Sequence, residues 1–172
     1  MKRNKGFSLV ELMVAIAVLG ILTVGCFTIF LSTSTYKAKK AVTEIDLALS
    51  NTRMHAVSKA NAWMKIEYKN GHYVIASSYT QDVVLDGDFS ISYTTTAGGG
   101  TADAKDTPFI LTYDRASGAF KEIMSSVAGD GTYTPMFGGT SPVYCNGITV
   151  TKGSNSFLIT LYHQTGKHVC ED

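Results

Sequence analysis

Phe7 to Leu31 is a run of 25 residues in which Glu11 is the sole formal charge. No other feature limits so strongly what the chain can fold into. As a helix rising 1.5 Å per residue the run reaches about 37 Å, enough to span a bilayer's hydrocarbon with some tilt. It is too long for an ordinary signal-peptide core. It also lacks a small-x-small cleavage site followed by a polar mature start, so it reads as a retained anchor. Lys2, Arg3 and Lys5 precede it, and Lys37, Lys39 and Lys40 follow closely. The positive-inside count is therefore near a tie. The short N-terminal flank, set against roughly 140 residues beyond the run, favours a cytoplasmic N-terminus and an external remainder.

Beyond the run, Ser32 to Ala62 holds no proline or glycine. Ala38, Val42, Ile45, Leu49, Ala56 and Ala60 follow helical spacing, with Ala41 and Ala48 beside them. The pattern predicts one helix from about Ser8 to Ala60, its first half apolar and its second half amphipathic. After Asn61 the pattern turns to strands. Trp63–Lys69 and His72–Tyr79 flank Asn70-Gly71, a type I′ hairpin signal. Phe89–Thr95, Phe109–Tyr113, Ala119–Met124, Ile148–Lys152 and Ser156–His163 read as further strands, and a short last strand holds Cys170. Thr94 to Thr107 and Gly129 to Pro142 read as loops. With 16 glycines and only 3 prolines, the remainder suits a turn-rich sheet. The expected fold class is α+β: a long N-terminal helix whose apolar stripe packs on a C-terminal antiparallel sheet.

Glu11 is the exception inside the apolar run. A carboxylate in a membrane helix costs roughly 2.5–3.5 kcal/mol at the centre and less near an end, where it can reach the interface. Such a residue usually has a partner, yet the run contains no Lys, Arg or His. A cation brought by another chain would meet the need.

The stretch Gly6-Phe7-Ser8-Leu9-Val10-Glu11, behind a short basic leader, resembles the cleavage and assembly signature of type IV pilins and type II secretion pseudopilins. The resemblance implies that a membrane prepilin peptidase cuts between Gly6 and Phe7 and that Phe7 is then N-methylated. The new amine on Phe7 would be the missing cation, pairing with Glu11 of a neighbouring subunit and setting axial register. It further implies a leader at 1–6, a transmembrane and assembly helix at 7–31, the amphipathic half of that helix at 32–62 and a β-rich head at 63–172. The implied partners are other pilin subunits and an inner-membrane assembly platform. The implied location is the cytoplasmic membrane, single-pass, and later an extracytoplasmic filament.

Ala48-Leu49-Ser50-Asn51-Thr52-Arg53-Met54-His55-Ala56 is similar to the helix of H-type minor pseudopilins. Phe157–Leu161 with Thr165-Gly166-Lys167 is similar to the last strands of that branch. Its DNA-binding members look to carry an Arg-rich stretch after the glycine, where this chain has Lys167 and His168. From Trp63 onward there are 7 Lys/Arg against 11 Asp/Glu, a poor basis for neutralising phosphates. A structural subunit is therefore the leading reading. The alternatives are a tip pilin that binds DNA or a surface, and an unprocessed single-pass protein.

Cys145 and Cys170 form the candidate disulfide outside the apolar run, which holds Cys26. The pair would close a 26-residue loop, worth roughly 3.5 kcal/mol by chain entropy, and would need an oxidising compartment. Many pilins staple this region, so the resemblance favours the disulfide over two thiols. Asp86-Gly87-Asp88 and Asp130-Gly131 could hold calcium, but turn chemistry explains them and the EF-hand pattern is missing. His163 and His168 with the cysteines fit no zinc spacing. No nucleophile-elbow or metalloprotease motif is present, so neither an enzyme nor a cofactor is expected.

Overall fold

The structure is a computed structural model that describes residues 8–58, 61–98, 100–129 and 131–171; within 24–34 it describes the backbone alone. Helix α1 covers Leu9–Ser58. Among the described residues eleven strands follow, forming two antiparallel sheets where a single sheet was expected. The first sheet has the order β3-β2-β1-β6-β7-β8 and the second β11-β10-β9-β4-β5. In the first sheet lie β1 (Trp63–Lys69), β2 (His72–Ser77), β3 (Val83–Leu85), β6 (Phe109–Thr112), β7 (Met124–Val127) and β8 (Tyr133–Pro135). In the second lie β4 (Ser90–Thr95), β5 (Thr101–Asp103), β9 (Cys145–Lys152), β10 (Asn155–Tyr162) and β11 (Lys167–Glu171).

The β1–β2 hairpin turns on Asn70 (φ 53°) and Gly71 (φ 86°), both in the left-handed region. That is the type I′ geometry its sequence predicts. Three short strands depart from expectation. β5 falls in the segment read as a loop, and β8 pairs with β7 inside the loop expected at 129–142. β3 pairs with β2 where no strand was expected. Strands of three residues are too short for alternation to declare them; each exists because a longer neighbour offers its edge. Conversely, Ala119–Met124 is not a strand. Only a Tyr113–Phe120 bridge forms there, and β7 begins at Met124.

The second half of α1 fills the core. Ala38, Ala41, Val42, Ile45, Leu49 and Ala56 are buried on the face predicted for them, while Ala60 lies outside the described residues. Thr52 completes the stripe and is fully buried. Its polarity had hidden it. The hydroxyl meets the Ala48 carbonyl oxygen at 2.6 Å and the Tyr79 hydroxyl at 2.7 Å, so no buried polar group is wasted. Tyr79 also donates to the Ala48 carbonyl and stacks on His55 at 4.5 Å between centroids. Burial pushes the Tyr79 hydroxyl pKa upward, keeping it a donor. Across the sheets, Tyr93 packs on Phe109 at 4.3 Å.

The head has two ends along α1. At one end the Asp86–Asp88 turn and the β9–β10 hairpin meet the first turns of the buried half. Lys37 Nζ bonds Asp86 Oδ2 at 2.8 Å, and Asn155 Nδ2 donates to Thr35 Oγ1 at 3.3 Å. At the other end the turns at Asp114–Gly118 and Tyr162–Gly166 close over Arg53. Its Nη2 donates to the Thr165 carbonyl at 2.8 Å. Gly166 has φ 64°, and a Cβ there would lie 1.8 Å from the Gly118 carbonyl oxygen. Only glycine allows this approach.

Candidate assembly site at the helix N-terminus

Helix α1 begins with one half of a capping box, the bond from the N-cap backbone to the glutamate side chain. Ser8 is the N-cap, and its backbone N–H donates to Glu11 Oε2 at 3.3 Å. Its carbonyl accepts the first helical bond from Leu12 N–H at 3.2 Å. The Ser-x-x-Glu spacing that produces this is a helix-start signature legible in the sequence. Glu11 thus has a partner within its own chain, and its charge sits at the positive end of the helix dipole. Lys2, Arg3, Lys5, Gly6 and Phe7 lie outside the described residues, so the processing point and the leader charges have no geometry here.

Every residue from Ser8 to Thr23 is exposed. Leu9, Leu12, Met13, Ile16, Leu19 and Ile21 each show 57% to 75% of their surface. With Val10, Val14, Val18 and Leu22, also exposed on the other side, they surround the helix rather than keeping to one stripe, the pattern of a helix meant to be surrounded. Covering each side chain is worth roughly 1.5–3 kcal/mol. Thr23 returns its hydroxyl to the carbonyls of Leu19 (3.0 Å) and Gly20 (2.9 Å), so its polar group needs no water. Among the described residues no helix is long and apolar enough to cross a membrane. The apolar run extends past them, since nothing is described for Phe7 or for side chains 24–31.

Residues 1–27 match the family model for the prokaryotic N-terminal methylation motif. This is a prepilin-type N-terminus. The match supports a type IV pilin-like prepilin: processed by a prepilin peptidase, anchored in the membrane by its N-terminus and assembled with other pilins. No curated protein and no solved structure matches the chain. The α+β plan of one helix and antiparallel sheets is consistent with a pilin fold.

In the head, the expected disulfide is corrected. Cys145 and Cys170 are not joined. β10 lies between β9 and β11, so the two backbones stand two strand spacings apart, roughly 10 Å. A disulfide allows at most about 7 Å between Cα atoms. Cys145 is buried, and burial pushes its thiol pKa up to about 12. The exposed Cys170 directs its sulfur at Asp46 Oδ1 on α1, 3.4 Å away. The same carboxylate oxygen is 3.1 Å from His168 Nε2, which lies 3.3 Å from Ser50 Oγ. Counting only described residues, no cluster of His, Cys, Asp or Glu is arranged to hold a metal. Of the carboxylates weighed for calcium, Asp86 pairs with Lys37 (2.8 Å) and Asp88 with Lys152 (2.6 Å), and Asp130 lies outside the described residues. Those lysines hold both carboxyls below the usual carboxylate range.

Arg53 and Thr165-Gly166 belong to the two stretches that resemble the H-type branch, and the fold brings them into contact. The contact ties the helix to the last turn of the head.

Proposed function

We propose that this chain is a structural subunit, a minor one, of a type IV pilus or a type II secretion pseudopilus. Its role is assembly, without catalysis or a cofactor. The observation that carries the reading is the join between the methylation motif and an apolar helix exposed on every side. Such a helix needs lipid before assembly and neighbouring helices afterwards. In this reading the N-terminus starts in the cytoplasm, the head lies outside, and an inner-membrane platform extracts the processed subunit. The cap on Ser8 holds the Glu11 carboxylate at the helix end, one residue from the amine that cleavage before Phe7 would create. A neighbour's amine arriving there would find the carboxylate already placed. The H-type assignment is supported by the Arg53 contact to the last turn and by the sequence likeness on both sides of it. The acidic balance of the head favours a structural role over DNA uptake.

Mass spectrometry of the mature N-terminus tests processing. An N-methylphenylalanine start at residue 7 is expected; an intact Met1 start would sink the reading. Glu11→Ala is expected to be cleaved normally yet to disappear from the filament fraction. Normal incorporation of that variant would refute the assembly role of Glu11.

A further inference from the structure

Beyond the apolar run, and among the described residues, most of the large apolar side chains left exposed lie on or beside the outer face of α1. Tyr36, Leu47 and Met54 show 68%, 54% and 59% of their surface, and Val57 is exposed with them. At about 100° per residue the first three lie within about 20° of one line along the helix, opposite the buried Ile45. An open groove of about 350 Å³ runs beside this line, with Tyr36 and Lys40 on its helix side and the exposed Val84 on β3. A smaller hollow of about 130 Å³ adjoins it at Glu44 and Val83 and reaches Leu47. The hydroxyls of this face turn back to the helix. Thr43 donates to the Lys39 carbonyl at 3.1 Å and Ser58 to the Met54 carbonyl at 2.7 Å, as Thr23 does in the apolar half. The face is thus prepared for apolar cover. Lipid cannot supply it. Leu47 stands about 24 Å and Met54 about 35 Å above Leu31 along the helix, whereas a headgroup layer is roughly 5–8 Å deep.

We propose that the outer face of α1 receives the apolar run of a second copy, parallel to it and shifted by 29 residues along the axis. The inference rests on the assembly reading of the N-terminal helix and adds to it a surface and a stagger. Two observations select this occupant. The first is length. Phe7 to Leu31 is 25 residues and Tyr36 to Val57 is 22, so the run covers the whole stripe at one setting. The second is charge. A shift of 29 residues, about 44 Å, brings Glu11, the sole charge of the run, level with Lys40. Asp86, the carboxylate that Lys40 acts on within its own chain, is already bonded to Lys37, so the Lys40 ammonium has capacity for a second carboxylate. Glu11 has two oxygens, and the Phe7 amine of one neighbour and Lys40 of another can share them. The same shift sets Val18 against Leu47. Copies drawn from one membrane keep their helices parallel, as this contact requires.

The test follows the full chain carrying Val18→Cys and Leu47→Cys into the filament fraction. Within one chain the two positions stand about 44 Å apart on one continuous helix, so a link between them joins two chains. A ladder of disulfide-linked oligomers is expected on a non-reducing gel from the double variant and from neither single variant. Leu47→Asp is expected to lower incorporation severalfold while leaving the thermal unfolding of the head unchanged. Tyr162→Asp, exposed elsewhere on the head, is expected to leave both unchanged. Filaments that contain the double variant but give no ladder would overturn this inference alone. So would linkage by the Leu47→Cys variant on its own, to itself or to a different protein, and so would incorporation of Leu47→Asp at the parent level. A parent chain missing from the filament fraction would overturn the assembly reading as well.

Discussion

The two halves of α1 are built from similar residue types and meet opposite fates. From Leu9 to Ile21 the apolar side chains surround the helix and none is covered. From Ala38 to Ala56 they keep to one face, and that face is sealed by strands of both sheets. The difference lies in arrangement more than in total hydrophobicity. An all-round apolar surface cannot be satisfied by one sheet face, so the first half must find its cover outside the chain. A stripe can be satisfied internally, so the second half belongs to the folded head. Polar groups follow the same division. Thr23 bonds only its own helix, whereas Thr52 bonds Tyr79 across the core.

That contrast can be broken by substitution. Leu49→Ala is expected to destabilise the head by about 3 kcal/mol through lost burial and a residual cavity. Leu19→Ala is expected to leave the thermal unfolding of the head unchanged. Equal shifts from the two variants would end the distinction. Arg53→Ala is a smaller test, expected to cost about 1–2 kcal/mol by leaving the Thr165 carbonyl without its charged donor. The loss should appear first as faster hydrogen exchange in the turn at 162–166. Thr52→Val removes one partner from Tyr79 while filling the same space. About 1 kcal/mol is expected, measured by denaturant unfolding.

The thiols offer a test with a yes-or-no readout. In the folded head Cys170 is expected to react with a soluble maleimide, and Cys145 only after unfolding, because burial suppresses its thiolate. A disulfide-linked form on a non-reducing gel would overturn the strand geometry. The smallest effect concerns pH. The lysine partners lower the folded-state pKa of Asp86 and Asp88. Their contribution is therefore complete above the ordinary carboxylate range and is lost as pH falls through the depressed values. Asp86→Asn/Asp88→Asn should flatten the acid limb of the stability curve slightly, and salt should do the same to the parent chain.

Legibility followed the length of the signal. The apolar run and the helical stripe extend over many turns and could be read directly. The Asn70-Gly71 turn declared itself because few residues accept φ above zero. Strands of three residues could not be read, since pairing with a longer neighbour creates them. The missing disulfide shows the same limit. Sequence separation between Cys145 and Cys170 set only the entropy of a link, and β10, inserted between their strands, decided that the link does not form.

The sequence by itself carries the N-terminal methylation motif. Gly6, Phe7 and Glu11 stand at fixed separations in one short segment, where covalent spacing is the whole of the geometry. The tertiary structure alone decided the partners of groups far apart along the chain. Asp46 meets His168 and Cys170, Arg53 meets Thr165, and Asp86 and Asp88 meet Lys37 and Lys152. Each of those pairs is set by how two sheets close around one helix face, a global packing solution that no local spacing encodes.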